Sequence, residues 1–173
     1  LKEAELSCQK AIEIKPNYVE AHSNLGSILS DLGKLKEAEL SCRKAIEIKP
    51  NYAEAHYNLG ITLNDIGKSD QAELSYRKAI EIKPDYAEAY SNLGNILTDL
   101  DKLQEAEISY RKAIKIKPNY AEAYCNLGNI LRDLGKLKEA ELSYRKAIEI
   151  KPDYADAHLN LGNTFKDLGK LEE

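Results

Sequence analysis

The chain has 173 residues, 31% of them charged, and a formal net charge of −4 with the two signs interleaved. This balance offers no basic surface for nucleic acid or for an anionic membrane. No apolar run approaches the roughly 20 residues that span a bilayer, and the first residues, LKEAELSCQK, contain no apolar signal-peptide core.

The sequence repeats itself every 34 residues from one end to the other. A shift of 34 aligns five prolines and five glycines: Pro16, Pro50, Pro84, Pro118, Pro152 and Gly26, Gly60, Gly94, Gly128, Gly162. Residues 1–18 read as the second half of a repeat, 19–52, 53–86, 87–120 and 121–154 as complete repeats, and 155–173 as a first half. This period predicts a single solenoid array over 1–173. Because the chain enters mid-repeat and contains no Met, we interpret it as a fragment of a longer protein.

Each repeat predicts two amphipathic helices. In the repeat 121–154, apolar residues recur at helical spacing up to Leu134, and Gly135 is expected to end the first helix in the left-handed conformation. A second helix is expected from about Lys138 until Pro152 stops it. In the third complete repeat Asp101 replaces the turn glycine, and Asp tolerates the left-handed region better than most residues.

Two local features are expected to support these helices. A capping box is predicted at each first helix, as between Asn17 and Glu20, because an Asn or Asp precedes an acid by three residues. Pairs of Glu and Arg four residues apart, such as Glu39 and Arg43, are predicted on an exposed side of each complete second helix, where we expect them to have no function.

The recurring pattern of an aromatic or His, then Leu-Gly, Ala, aromatic, Ala and Pro resembles the tetratricopeptide repeat (TPR) family. The amino-acid sequences of the repeats are also similar to those of cyanobacterial TPR proteins and of the TPR arm of O-linked N-acetylglucosamine transferase. The resemblance implies an all-α fold, an α-solenoid of stacked antiparallel helix pairs in a right-handed superhelix. It further implies a concave groove lined by the first helices, which holds extended peptides.

The sequence predicts no catalytic site, metal site or cofactor. His22, His56 and His158 occupy one position in different repeats, so stacking keeps them apart, and core packing is the favoured interpretation. Cys125 is expected to be partly exposed on the concave face without a basic partner that would activate it. The three cysteines form neither a disulfide framework nor a metal motif, which indicates a reducing, cytoplasmic location. We therefore do not expect an enzyme.

Two rows of asparagine are the candidate peptide-binding residues. The first row lies in the repeated sequence N-L-G: Asn24, Asn58, Asn92, Asn126 and Asn160. A second, partial row one helical turn later is interrupted by Ser27 and Ile61: Asn95, Asn129 and Asn163. Asn is a poor helix former, and its carboxamide matches the amide of an extended peptide backbone. The first row resembles the asparagine ladder of O-linked N-acetylglucosamine transferase. The alternative is that these residues are polar fillers that bond neighbouring carbonyls.

An acidic row near the end of each first helix suggests that the bound peptide is basic: Asp31, Asp65, Asp99, Asp133 and Asp167. An acid at a helix C-terminus opposes the helix dipole, so its recurrence needs a reason. One reason is attraction of a basic ligand. The other is a local contact with the lysine three residues later, such as Lys34. Both remain open at this point.

The favoured function is a protein-interaction scaffold that binds an extended peptide in the concave groove. One alternative is the substrate-recruiting arm of a larger enzyme of glycosyltransferase or sulfotransferase type. Another is a self-stacking structural array, because Leu161, Phe165 and Leu168 are expected to present an unpaired apolar face that associates weakly end to end. Binding of a chaperone tail through a carboxylate clamp is disfavoured, since acids such as Glu54 occupy a position that the clamp needs for lysine.

Overall fold

The computed structural model describes residues 1–169, and this part of the chain forms ten α-helices and no strand. Their bounds are α1 Lys2–Ile14, α2 Val19–Asp31, α3 Leu35–Ile48, α4 Ala53–Asp65, α5 Ser69–Ile82, α6 Ala87–Asp99, α7 Leu103–Ile116, α8 Ala121–Asp133, α9 Leu137–Ile150 and α10 Ala155–Asp167. The even-numbered helices are the first helices of the repeats, and the odd-numbered helices are the second helices. The predicted all-α class is confirmed.

The first helices end in turns that require the left-handed backbone region. The Lys34 N–H donates to the Leu29 carbonyl and the Gly33 N–H to the Ser30 carbonyl, each at 2.9 Å, which is the bond pair of a Schellman motif. The φ angle is +73° at Gly33 and +57° at Asp101. No other non-glycine residue between 1 and 169 has a positive φ. The expected left-handed conformation of Asp101 is therefore confirmed.

The predicted capping boxes do not form where the structure defines the helix start. The N-cap is a tyrosine without a side-chain cap bond at α2, α4, α8 and α10. The Tyr18 N–H bonds to the Lys15 carbonyl at 3.0 Å, so Pro16 and Asn17 are the central residues of a turn. The helix consequently begins one residue later than the capping box requires.

A lysine covers the tyrosine at each of these turns. Each lysine precedes the turn proline, and its ammonium nitrogen lies 4.4–5.2 Å from the ring centroid, which is cation–π distance. The pairs are Lys15 with Tyr18, Lys49 with Tyr52, Lys83 with Tyr86, Lys117 with Tyr120 and Lys151 with Tyr154. The contact connects each second helix to the first helix that follows it.

The chain divides into two compact units: unit 1, Leu1–Ala89, and unit 2, Tyr90–Glu173. In unit 1 the core joins consecutive repeats. Val19, Ala45 and Ala55 pack together, although they come from three successive helices. Leu25 and Leu29 of α2 likewise contact residues of α1 and α3. Such packing buries apolar faces that a single helix pair would leave open.

The helical glycines allow the two helices of a repeat to approach closely. A Cβ atom on Gly60 would lie 2.6 Å from Cε1 of Tyr76 in unit 1, and one on Gly128 would lie 2.5 Å from Cε1 of Tyr144 in unit 2. Both tyrosines are buried. The close approach expected of these glycines is confirmed, because any side chain there would displace a packed ring.

The apolar face expected around Phe165 is covered. Phe165 is only 8% exposed, and the guanidinium of Arg145 in α9 lies 5.2 Å from its ring centroid. Leu161 and Leu168 are half-buried. The prediction of an unpaired apolar face is wrong for Phe165, because α9 packs against α10 and covers the aromatic ring. End-to-end association through Leu161 and Leu168 stays a prediction.

Candidate functional site

In unit 1 the asparagine row connects neighbouring first helices. Nδ2 of Asn58 in α4 donates to Ser23 of α2, to the carbonyl oxygen at 3.2 Å and to the hydroxyl at 3.1 Å. Ser23 is buried, whereas Asn24 beside it is exposed. The neighbouring-carbonyl contact, considered from the sequence as a structural role, is therefore present at Asn58.

In unit 2 the two asparagine rows bond to each other. Oδ1 of Asn95 accepts from the Tyr110 hydroxyl at 2.7 Å and from Nδ2 of Asn126 at 3.1 Å. The same arrangement recurs one repeat later, where Oδ1 of Asn129 accepts from the Tyr144 hydroxyl at 2.8 Å and from Nδ2 of Asn160 at 3.0 Å. The Oδ1 atoms of Asn95 and Asn129 thus use both acceptor sites within the protein.

These bonds fix the amide nitrogens of Asn58 and Asn126 and leave the carbonyl oxygens of these two residues available. Asn58 and Asn126 are half-buried and donate to the preceding repeat through Nδ2. Among residues 1–169 no donor to their Oδ1 atoms is found. Asn92 is also half-buried, and Asn163 of the second row is exposed. The row can therefore offer oriented carbonyl acceptors to the N–H groups of a ligand.

The acidic row is exposed in both units. Asp65 accepts a hydrogen bond from the Ser30 hydroxyl at 3.2 Å. The local lysine contact does not form at Asp31, Asp65 or Asp133, because the lysines three residues later bond instead to a glutamate of the preceding repeat. These pairs are Lys34 with Glu5 at 2.7 Å, Lys68 with Glu39 at 3.0 Å and Lys136 with Glu107 at 2.8 Å. Lys170, the corresponding lysine for Asp167, lies outside the described residues.

The glutamates of the predicted Glu–Arg pairs also link repeats. Glu39 accepts from Arg43 of its own helix at 2.8 Å and from Lys68 at 3.0 Å, and its side chain is only 17% exposed. The hydrogen bonds from Arg43 and then Lys68 lower the pKa of Glu39. Burial raises the pKa of Glu107, but the bonds from Lys136 and Arg111 outweigh it and the pKa is lowered. The Glu–Arg pairs form as expected, and those at Glu39 and Glu107 are also parts of bridges between repeats.

The surroundings of the histidines and of Cys125 indicate structural roles. Nε2 of His22, His56 and His158 lies 2.8 Å from the carbonyl of the turn proline six residues earlier. Since a carbonyl only accepts, Nε2 carries the hydrogen. Cys125 is 2% exposed, so the expectation of a partly exposed thiol is wrong, and burial raises its pKa. No group of three metal-ligating side chains is found within residues 1–169.

Unit 1 contains an aromatic cluster that was not predicted from the sequence. Tyr57 lies in α4, one residue before Asn58, and its ring centroid is 4.8 Å from Tyr86 and 6.0 Å from Tyr76. Burial, followed by the neighbouring Tyr57, raises the pKa of Tyr86. Ser91 and Cys125 occupy the position of Tyr57 in unit 2. A comparison of this position between repeats would have shown that unit 1 has a tyrosine where unit 2 has a serine and a cysteine.

The helix pairs, their glycine contacts and the polar face of the first helices define an α-solenoid repeat protein. Models of the tetratricopeptide repeat match residues 19–52 and 41–73, and a TPR repeat model matches 62–100, 94–131 and 128–169. The chain belongs to the tetratricopeptide repeat family. No curated protein sequence matches it significantly. No helix within residues 1–169 has the length and apolar character needed to cross a membrane.

Several solved structures share the fold. A crystal structure of MamA is 30% identical, with a TM-score of 0.80 and 86% of each chain covered. YrrB, described as a TPR protein with an unusual peptide-binding site, is 26% identical, with a TM-score of 0.81, 95% of this chain covered and 85% of YrrB. PilF of Pseudomonas aeruginosa is 23% identical, with a TM-score of 0.81, and the match covers 88% of this chain and 69% of the PilF chain. At this identity the likeness supports the fold alone.

Proposed function

We propose that the protein is a non-catalytic scaffold that binds an extended peptide along the asparagine row. The observation that carries the proposal is the amide geometry at Asn58 and Asn126. Each amide nitrogen is held by the preceding repeat, and each carbonyl oxygen is left without a donor among residues 1–169. Carbonyl acceptors repeated along the first helices suit the regularly spaced N–H groups of an extended backbone. The peptide-binding site described for YrrB supports the same class of ligand.

The acidic row favours a basic peptide. In unit 1, Ser30 and Asn64 precede Asp31 and Asp65, so the residues adjacent to the acids are uncharged. In unit 2, Arg132 immediately precedes Asp133. Thr98, which precedes Asp99, is uncharged, as Ser30 and Asn64 are. The attraction for lysine and arginine side chains should therefore be strongest from Asp31 to Asp99, and added salt should slow association by screening that attraction.

A substrate-recruiting arm of a larger enzyme would use the same binding face. The similarity of the repeats to those of O-linked N-acetylglucosamine transferase and of cyanobacterial TPR proteins remains a prediction. The sequence that flanks residues 1 and 173 in the gene product would distinguish an isolated scaffold from an arm of an enzyme.

The test combines changes in the protein with changes in the peptide. A screen of unrelated extended peptides should return basic ligands. The triple variant N58A/N92A/N126A should weaken all of them by similar factors, about tenfold or more. Asn51→Ala, in an exposed turn away from the row, is the matched control and should leave binding unchanged.

Methylating successive backbone nitrogens of the best peptide provides an independent readout, because it removes N–H donors and leaves the protein intact. Affinity should fall at those nitrogens that face the row. The proposal fails if every methylated peptide binds as well as the parent. It also fails if the triple variant keeps full affinity, or if the screen returns acidic or C-terminally anchored ligands.

A further inference from the structure

The first helix α4 of unit 1 carries two large apolar residues beside its row asparagine, Asn58. Tyr57 and Ile61 lie four residues apart, so they share one face of the helix, and both are half-buried. Among the five first helices only α4 has apolar residues at both positions. The equivalent pairs are Ser23 and Ser27, Ser91 and Asn95, Cys125 and Asn129, and Leu159 and Asn163. Apolar surface is therefore concentrated beside one asparagine of the row.

The aromatic cluster of unit 1 extends this apolar surface. The ring centroid of Tyr57 lies 4.8 Å from that of Tyr86 and 6.0 Å from that of Tyr76. Tyr76 is only 2% exposed, so it supports the cluster from the core. Tyr57 and Tyr86 are half-buried and keep part of their ring surface open to solvent. We call Tyr57, Ile61 and Tyr86 the tyrosine subsite.

The acidic row continues past the tyrosine subsite. Asp65 is exposed and lies four residues after Ile61, on the same face of α4. Asp31 is exposed at the equivalent position of α2. An apolar subsite beside these acids is complementary to a segment in which a large apolar residue has basic neighbours.

A cation is the other kind of group that tyrosine rings bind. At this subsite the protein supplies the cation itself. The ammonium nitrogen of Lys83 lies 4.4 Å from the ring centroid of Tyr86 and 3.6 Å from a carboxylate oxygen of Glu54. A lysine or arginine of the ligand would have to displace Lys83, whereas an apolar side chain adds to the aromatic packing. These contacts favour an apolar side chain at the subsite.

We propose that the tyrosine subsite determines which peptides bind, by accepting one large apolar side chain from a segment with basic neighbours. The inference rests on the peptide binding proposed for the asparagine row and adds sequence selection to it. Amide oxygens of the row accept from the backbone of any sequence, so they do not distinguish between peptides. Because Tyr57 and Asn58 are adjacent, the apolar side chain belongs to the part of the peptide that crosses α4.

A set of peptides with one variable position tests the ligand class. The host is Lys-Ser-Lys-Xaa-Lys-Ser-Lys with a fluorescent label at its N-terminus, and the guest Xaa is Ala, Leu, Phe, Arg or Glu. Fluorescence anisotropy with the 173-residue chain should give dissociation constants at least about tenfold lower for the Leu and Phe guests than for the Ala guest. The Arg and Glu guests should both bind more weakly than the Phe guest.

Exchange of residues between repeats tests the location. Y57S/I61S gives α4 the residues that α2 has, and should reduce the ratio of Phe affinity to Ala affinity to about one. Ile61→Asn, a milder change to the residue found in unit 2, should lower that ratio by about threefold. Tyr57→Phe should recover the preference that Tyr57→Ser loses, because it returns the ring without the hydroxyl. Leu40→Ser is the matched control, because Leu40 is 69% exposed on a second helix, and it should leave the ratio unchanged.

Melting curves verify that each variant is folded, and the ratio of two affinities measured on one variant cancels any uniform loss of active protein. The inference is overturned if the Ala guest binds as tightly as the Leu and Phe guests, or if the Arg guest binds best. It is also overturned if the Phe preference survives in both Y57S/I61S and Ile61→Asn, or if Leu40→Ser removes it.

Failure of the subsite is distinguishable from failure of the asparagine row. Loss of the Phe preference alone, with N58A/N92A/N126A still weakening every guest peptide by a similar factor, overturns the subsite and leaves the row. A Phe preference that depends on Tyr57, in guests that the triple variant binds as well as the parent, supports the subsite and overturns the row. A chain that binds none of the guest peptides overturns both.

Discussion

The two units share one framework and differ in how its polar positions are filled. Both place a tyrosine against a helical glycine, Tyr76 on Gly60 in unit 1 and Tyr144 on Gly128 in unit 2. In unit 2 the tyrosine hydroxyl bonds to an asparagine of the second row, whereas Ile61 occupies that position in unit 1. Unit 1 instead has Tyr57 beside the asparagine row. The packing contacts recur, while the polar residues of the proposed peptide-binding row vary.

The largest expected effect tests the shared framework. Gly60→Ala and Gly128→Ala should each destabilise the protein by about 1–3 kcal/mol, because the new Cβ would overlap a buried tyrosine ring. Chemical denaturation followed by circular dichroism measures this. Gly162→Ala is the matched control, since no atom of residues 1–169 lies within 4 Å of its Cβ position, and it should be neutral or slightly stabilising. Unequal losses at Gly60 and Gly128 would show that the framework is not shared.

The next effect should separate the units. Asn129→Ala removes the acceptor for the Tyr144 hydroxyl and for Nδ2 of Asn160, and should cost about 1–2 kcal/mol. Ser27→Ala, at the equivalent position in unit 1, should have almost no effect. Thermal melting of both variants gives the comparison. If the two variants were equally stable, the asparagine network would not contribute to unit 2.

A smaller effect is expected in unit 2 at Asp101. Asp101→Gly should stabilise the protein by about 0.5–1 kcal/mol. The φ angle of Asp101 is +57°, and glycine adopts this left-handed backbone region without a Cβ clash. Asp101→Ala is the contrasting variant and should not stabilise. An unchanged or lower melting midpoint for the glycine variant would mean that the aspartate side chain has a role of its own.

The smallest effect concerns pH and should be alike in the two units. Because bonds from Arg43 and Lys68 lower the pKa of Glu39, the bridge stabilises the fold above the ordinary value of 4.5 and is lost as pH falls through the folded-state pKa. The stability difference between parent and Lys68→Met should therefore shrink at acidic pH. Lys136→Met should behave alike in unit 2, since the pKa of Glu107 is also lowered.

The control for this titration is Lys78→Met, which removes a pair with the largely exposed Glu81. Its effect should be smaller at every pH, because exposed pairs contribute little. A pH-independent difference for Lys68→Met would exclude the bridge as the cause.

The secondary structure could be predicted from local sequence patterns. The 34-residue period and the turn glycines were sufficient to predict the helix pairs, because a left-handed turn depends on the residues within it. Asp101 illustrates this, since its conformation followed from its place in the period. The capping box failed for an equally local reason: the proline and asparagine form a turn, and the helix starts at the next residue but one.

The side-chain partners were decided only by tertiary structure. Lys34 bonds to Glu5 at a separation of 29 residues, and Asn58 bonds to Ser23 at a separation of 35. The sequence placed these residues in the correct repeats but could not select among polar neighbours in adjacent repeats. That choice depends on how the helices stack, as does the covering of Phe165 by Arg145. The period therefore determined the fold, whereas stacking decided which asparagine atoms and which apolar side chains remain available for binding.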